Sequence, residues 1–293
     1  MEPILTLDLR RWAGPIDGAT TVRATAALEE GRVLFFPFLA FPVSGPELRL
    51  LDAAVSDGKA KNVTWFPEHG PLKGAAERAD RAALQALLTR YALTTRRFVA
   101  TLFPAYADKL AWGPTTLRPV EIAGRQAPSW RRDDTRLHTD AFPSRPTGGA
   151  RILRFFSNVD PSGAPRVWRI GGRFEDFAAP HARSLRGLLP GEPTILSALG
   201  ITAARRSLYD KLMLQLHDRM KSDAGYQQDG VVAEIAFPAG SSWMVFTDQV
   251  PHAAIAGRNA LEQTFHVPVA AQLRPEQSPL KILERLRGQP LVP

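Results

Sequence analysis

Beyond Pro119 the chain changes character, and that change limits its fold more than any other feature. Short strand-like runs recur over residues 120–123, 135–140, 151–158, 166–170, 232–237, 243–247 and 261–267. Breakers separate them, among them Pro143, Pro146, Gly148, Gly149, Pro161 and Gly163. Short runs bounded by turn formers predict strands, and many such strands in succession predict a sandwich or barrel.

The first 115 residues read differently. A helix is expected over 20–30, an apolar strand over 33–38, a helix over 45–55 and a loop over 58–71. A long helix is expected over 74–103, where Leu84, Leu87, Leu88, Tyr91 and Phe98 recur at i, i+3 and i+4 spacing. That stripe reads as core packing against the outer face of a jelly roll. One helical insertion, 203–223, interrupts the β-rich part, with Leu208, Leu212, Leu216 and Met220 along one face. The expected protein is α+β: a double-stranded β-helix (jelly-roll, cupin-like) core over 116–270. A mainly helical part at 1–115 precedes it and a tail at 271–293 follows. No linker divides the chain, so one domain over 1–293 is expected.

Composition excludes several chemistries. There is no cysteine, so disulfides, thiolate metal sites and a cysteine nucleophile are ruled out, and any metal must sit on nitrogen and oxygen. The N-terminal residues lack the pattern of a signal peptide, and no stretch approaches the roughly 20 apolar residues of a membrane span. A cytoplasmic protein is expected, with peripheral contact at the inner membrane left open. Net charge is +8, carried by 30 Arg against 7 Lys. A coding bias toward arginine accounts for this as well as attraction to an anionic surface does. With no helix-turn-helix, zinc finger or basic tail, nucleic acid is not an expected partner.

The candidate chemistry lies in Arg136-Leu-His-Thr-Asp140 and in Phe246-Thr-Asp-Gln-Val-Pro-His252. His138 and Asp140 stand two positions apart, so on a strand they share a face. With His252 they form two imidazoles and one carboxylate, the set that holds non-haem Fe(II) on one side and leaves the other open. On spacing alone, a structural role for these histidines is an equal alternative. His69, His181, His217 and His266 read as structural, His181 and His217 because they fall in helical segments; His266 is the rival ligand.

Longer runs carry more information. Arg136 to Arg154, Arg118 to Arg125, Pro165 to Arg169, Val245 to His252 and Leu261 to Phe265 together resemble the Kdo hydroxylases, Fe(II)/2-oxoglutarate-dependent dioxygenases of the lipopolysaccharide inner core. The resemblance covers roughly 115–270. It implies hydroxylation at C3 of 3-deoxy-D-manno-octulosonic acid (Kdo) on a lipid A-linked acceptor, giving Ko, with Fe(II) held by His138, Asp140 and His252 and with 2-oxoglutarate and O₂ as co-substrates.

The resemblance also requires a cation for the distal carboxylate of 2-oxoglutarate, for which arginine's planar fork is suited. Arg154, fourteen residues after Asp140, and Arg258, six after His252, are the two candidates, with Gln263 and Thr264 as added hydrogen-bond partners. Arg125, Arg131, Arg132, Arg145 and Arg166 surround the motif and are candidates for the substrate's carboxylate and phosphates. Trp130 and Trp168 are candidates to stack on the sugar. Another oxygenase of the same fold, acting on a small molecule or protein side chain, and a metal-free barrel that binds anionic glycans are the competing readings. Oligomeric state is left open.

Overall fold

The computed structural model describes residues 2–68 and 70–293; His69, read above as structural, lies outside them. In chain order the elements are β1 (Ile4–Thr6), α1 (Gly18–Glu29), β2 (Val33–Phe36), β3 (Val63–Trp65), α2 (Arg81–Leu102) and β4 (Ala111–Arg118). Then come β5 (Arg151–Asn158), β6 (Arg166–Gly171), α3 (Phe174–His181), α4 (Glu192–Ala198), α5 (Leu208–Ser222) and α6 (Ala224–Asp229). β7 (Val231–Phe237), β8 (Ser242–Phe246), β9 (His252–Ala256), β10 (Ala260–Val267) and α7 (Pro279–Arg287) complete the chain. Seven strands form one sheet, ordered β1-β2-β8-β5-β10-β4-β3, and three form a second, ordered β7-β6-β9. These are the two faces of the jelly roll.

Period-two alternation explains how the large sheet is covered. Leu153 and Phe155 on β5, Met244 and Phe246 on β8, and Leu261 and Phe265 on β10 pack with Leu84, Leu88, Tyr91 and Phe98 of α2. Each fully buried large apolar side chain here stabilises by about 1.5–3 kcal/mol. The intervening residues Phe156, Trp243 and Val245 face the small sheet and meet Trp168, Ile170 and Phe237. Helix α2 therefore lies on the outer face, as its leucine stripe predicts.

The N-terminal part departs from expectation. It supplies four strands as well as helices, and β1 and β2 extend the large sheet through β8. Residues 45–55 form two 3₁₀ segments because Asp52, in extended backbone, ends the first and caps the second at the Ala54 N–H. β3 lies inside the expected loop. α2 starts at Arg81 because the Asp80 carboxylate accepts from the Ala83 N–H.

The strand expected at 120–123 is absent; β4 occupies 111–118 instead. Pro114 masks β4 in the sequence, yet it is tolerated because the β4–β10 register slips between Gln263 and Phe265. Gly113 is needed in this bulge, since a Cβ there would stand 2.8 Å from Thr264. Nor is 135–140 a strand: it makes one isolated bridge, His138 to His252. The insertion is larger than expected, adding α3, α4 and α6 around α5. Among the described residues no helix is long and apolar enough to cross a membrane.

Candidate metal centre

Backbone hydrogen bonds set the spacing of the three predicted ligands. The His138 N–H donates to the His252 carbonyl (3.1 Å) and the His252 N–H donates to the His138 carbonyl (2.9 Å). Two residues on, the Asp140 N–H donates to the Thr247 carbonyl (2.8 Å). The turn from β8 to β9 thus clamps the segment bearing His138 and Asp140. The result is a buried cluster whose ligand atoms all lie within 4.8 Å of one another.

Each imidazole is also oriented. His138 Nδ1 faces the Arg136 carbonyl at 2.8 Å, and His252 Nδ1 faces the Val250 carbonyl at 2.9 Å. A ring nitrogen that meets a carbonyl must carry the proton, so on both rings the Nε2 lone pair is left for a metal. Trp168 stacks on His252 at 5.0 Å, and His217 of α5 meets His138 edge-on at 5.3 Å.

Electrostatics match that assignment. Burial, then the neighbouring His252, hold His138 well below the usual histidine range. Burial likewise depresses His252, although Asp140 opposes it. Burial works to raise the Asp140 carboxyl, but the Arg154 cation and both imidazoles outweigh it and hold the group far below the usual carboxylate range. At neutral pH the cluster is two neutral imidazoles and one carboxylate, the protonation states that a divalent cation requires.

The trio opens into a cleft of about 190 Å³ lined also by Lys61, Arg118, Asp134, Arg154, Phe156 and Arg166. A larger hollow of about 490 Å³, bordered by Arg32, Asp176, Gln249 and Arg285, contains none of the three ligands. The chemistry belongs to the smaller space. Arg154 reaches Asp140 Oδ2 at 3.2 Å and Glu262 Oε1 at 3.3 Å. The contact with Asp140 is made by Nε, as an ion pair outside hydrogen-bond geometry. Glu262, 2 % exposed, takes its main ion pair from Arg118, with Nε at 2.8 Å and Nη2 at 2.5 Å.

Arg166 enters from the small sheet. It is 2 % exposed and donates one hydrogen bond from Nη1 to the Gly257 carbonyl (2.7 Å), while its Nε is unpartnered among the described residues. Gly257, at φ +101°, permits this approach, because a Cβ there would stand 2.7 Å from the Pro165 carbonyl oxygen. Burial, reinforced by the Arg118 cation, pulls the Arg166 guanidinium down to about 9, still charged at neutral pH.

Of the residues singled out in the sequence, His138, Asp140, His252, Arg154, Arg166 and Trp168 converge here, and the others do not. Arg258 lies in the turn before β10, half-exposed and paired to Asp160 at 3.3 Å. Gln263 points to the helical side and bonds Thr115 and the Gly113 and Thr264 carbonyls. Thr264 packs against Glu262 in the bulge. Arg125 touches the cleft only through Asp134 (2.8 Å). Arg131 pairs with Asp218 and covers the Trp130 ring. Arg132 is exposed, and its carbonyl accepts from Lys61. Arg145 lies over Phe66 beside a separate hollow that also holds His266, so the rival histidine is not in the trio. Trp168 is 3 % exposed and packs on His252, which leaves its face to the ligand ring.

Sequence reading missed Lys61, Arg118, Asp134 and His217. His217 falls on the polar side of an amphipathic helix, where spacing does not separate a solvated residue from one packed on a ligand. Arg118 carried a signal, standing at the head of a run already singled out. Lys61, in a loop over seventy positions from the motif, carried none.

Comparison with known proteins follows the same lines. A family model described as 3-deoxy-D-manno-oct-2-ulosonic acid (Kdo) hydroxylase matches residues 12–290. Three crystal structures of the Kdo hydroxylase KdoO, a non-haem Fe(II) α-ketoglutarate-dependent dioxygenase, are similar over 99% of this chain and 98% of theirs. The complex with α-ketoglutarate and Fe(III) is 46% identical with a TM-score of 0.94, and the cobalt(II) complex 47% with 0.95. The complex with succinate and Fe(III) is 46% identical with 0.94. No curated protein matches the sequence.

Proposed function

The chain belongs to the Kdo hydroxylase family, and from that premise we propose that it hydroxylates Kdo at C3 in the lipid A-linked inner core of lipopolysaccharide, giving Ko. The observation that carries the reading is the orientation of His138 and His252, each with Nδ1 committed to a carbonyl and Nε2 left for a metal, that of His138 standing 3.8 Å from Asp140 Oδ1. These residues fit Fe(II): two neutral nitrogens and one carboxylate, held by backbone before any metal arrives. Bound Fe(II), with 2-oxoglutarate and O₂ as co-substrates, supplies the oxidation of an unactivated C–H bond, and 2-oxoglutarate leaves as succinate and CO₂.

The protein's own residues bind and orient. Arg154 is proposed to hold the distal carboxylate of 2-oxoglutarate, since it is largely buried and stands beside the ligands. Arg166 is proposed to meet the Kdo carboxylate from the opposite sheet, its Nε unpartnered among the described residues. Glu262 offsets the crowding of Arg118 and Arg154, so the cleft does not accumulate repelling cations. Phe156 and Trp168 supply apolar wall that keeps water from the reacting carbon.

The acceptor is proposed to be a lipid-linked Kdo glycan reached from the cytoplasm, with peripheral contact at an anionic membrane surface; the +8 charge supports that contact. Purified protein loaded anaerobically with Fe(II) and given 2-oxoglutarate, O₂ and Kdo-bearing lipid A precursor should yield a product heavier by one oxygen on the sugar, with succinate in equal amount. Succinate release without product would overturn the acceptor. Absence of both, with His138→Ala indistinguishable from wild type, would overturn the enzyme.

A further inference from the structure

The crossover between β6 and β7 carries an apolar surface that the catalytic cleft does not use. Ten large hydrophobic residues are exposed among the described residues, and four of them fall within this crossover: Leu189 (68%), Ile195 (57%), Leu199 (69%) and Ile201 (52%). Ile195 and Leu199 stand one turn apart at α4, joined by the hydrogen bond from the Leu199 N–H to the Ile195 carbonyl (3.0 Å). Leu189 and Ile201 flank that turn. Four clustered aliphatics at this exposure form a crest of the kind that marks an interaction site.

The charge around the crest selects its partner. Between residues 183 and 206 the chain has four arginines and a single carboxylate, Glu192. Glu192 is already taken by Lys211 (2.5 Å) and Arg206 (4.0 Å). Arg183, Arg186 and Arg205 are exposed and have no carboxylate partner among the described residues. Exposed aliphatics sharing one crossover with guanidiniums that lack a carboxylate partner suit the boundary of an anionic bilayer, where acyl chains take the apolar side chains and phosphates take the cations.

The crest is coupled to the metal centre. At its end the Ala203 N–H donates to the Ser144 carbonyl (2.8 Å), and Arg206 Nη2 donates to the Pro143 carbonyl (2.6 Å), in the loop that leaves Asp140. Gln215 of α5 pins Arg186 by two hydrogen bonds of 2.8 and 2.9 Å, and α5 also carries His217 against His138. We infer that this crest inserts into the headgroup boundary of an anionic phospholipid membrane and seats the enzyme there. The inference rests on the membrane contact proposed above and assigns it a surface.

The test uses the full chain with sedimenting vesicles of phosphatidylethanolamine and phosphatidylglycerol. A quadruple variant, Leu189→Ser, Ile195→Ser, Leu199→Ser and Ile201→Ser, should lose roughly 100-fold or more in partition coefficient. Arg183→Gln with Arg186→Gln and Arg205→Gln should lose roughly tenfold on anionic vesicles and nothing on phosphatidylcholine. Both variants should keep the wild-type melting temperature and wild-type turnover of a detergent-dispersed acceptor. Because the chain has no cysteine, Leu199→Cys carries one environment-sensitive fluorophore, whose emission should shift to shorter wavelength on the anionic vesicles. Wild-type binding unchanged in the quadruple variant, with no shift at position 199, overturns the crest and leaves membrane contact standing. Failure of the wild type to bind overturns both. A dimer in sedimentation that the quadruple variant dissolves overturns the lipid assignment in favour of a second copy.

Discussion

Arg154→Met separates two roles that the geometry gives to one guanidinium. If Arg154 holds the distal carboxylate of 2-oxoglutarate through its planar fork, the variant loses two charge-assisted hydrogen bonds of about 1.5–3 kcal/mol each. That loss of about 3–6 kcal/mol raises the KM for 2-oxoglutarate by roughly 10²- to 10⁴-fold. The same side chain stands 3.2 Å from Asp140 and 3.3 Å from Glu262. Glu262 keeps Arg118, but Asp140 loses its nearest cation, and a buried carboxylate left in that state costs about 3–5 kcal/mol. A divalent metal on Asp140 supplies the missing charge. The stability loss should therefore be large in metal-free protein and small in the loaded enzyme, whose KM defect persists. Arg154→Lys keeps the charge but not the fork, so its melting temperature should stay near wild type while KM still rises roughly tenfold or more. Steady-state assays with 2-oxoglutarate varied, alongside calorimetry with and without metal, decide the matter. A wild-type KM in Arg154→Met, or the same KM defect appearing in Arg166→Met, refutes the assignment.

Three further outcomes are expected. Arg151, fully buried, ties β5 to the turn before His252 through Asp248 at 2.7 Å; Asp248→Asn should lower the melting temperature by roughly 10 °C, as breaking a buried pair costs about 3–5 kcal/mol. A smaller change, within about 2 °C, would show that the neighbouring Gln249 suffices. Burial works to raise Asp134 and Glu262, but the cations around them outweigh it and depress both carboxyls. Their stabilisation is full above the ordinary carboxylate pKa of about 4 and lost as pH falls below it. The melting temperature of Asp134→Asn should thus fall less than that of wild type on acidification, and parallel curves would contradict the pairing. Finally, saturating Fe(II) under anaerobic conditions should raise the wild-type melting temperature, by about 2.7 kcal/mol of stabilisation at a hundredfold excess over Kd, and chelation should reverse it. His138→Ala should show neither change.

The strands bounded by clear turn formers are legible in the sequence: β5 to the residue and β10 to within one. Where the backbone bends the rule, the sequence hid it. β4 carries Gly113 and Pro114 at a bulge, so its apolar pattern is interrupted where the fold tolerates interruption. The convergence of His138, Asp140 and His252 is legible in the sequence, although the strand that would place His138 and Asp140 on one face is absent. A single bridge and a clamp from Thr247 achieve the same convergence. The arginines show the opposite limit. Arg154 and Arg166 alternate inward on β5 and β6, whereas Arg258, on a turn, found Asp160 instead. Sequence proximity to the motif did not distinguish them, because which carboxylate an arginine meets is decided by strand register across two sheets. His217 reaches the His138 ring, and Lys61 the cleft, only through the packing of α5 and the segment before β3, which no local pattern encodes.

The reciprocal bridge between His138 and His252 also bears on how the site answers to metal. Its two hydrogen bonds use main-chain atoms alone, so the separation of the two Cα atoms does not depend on what the side chains bind. Loading an ion then reorders at most a few torsions, and little conformational entropy is spent. Such a site is a mould rather than a hinge: ions of similar radius should exchange through it without any movement of the sheets around it. Discrimination among them falls to cellular supply and to the carboxylates of the co-substrate. An inhibitor that displaces the ion would meet a pocket already shaped to take it back.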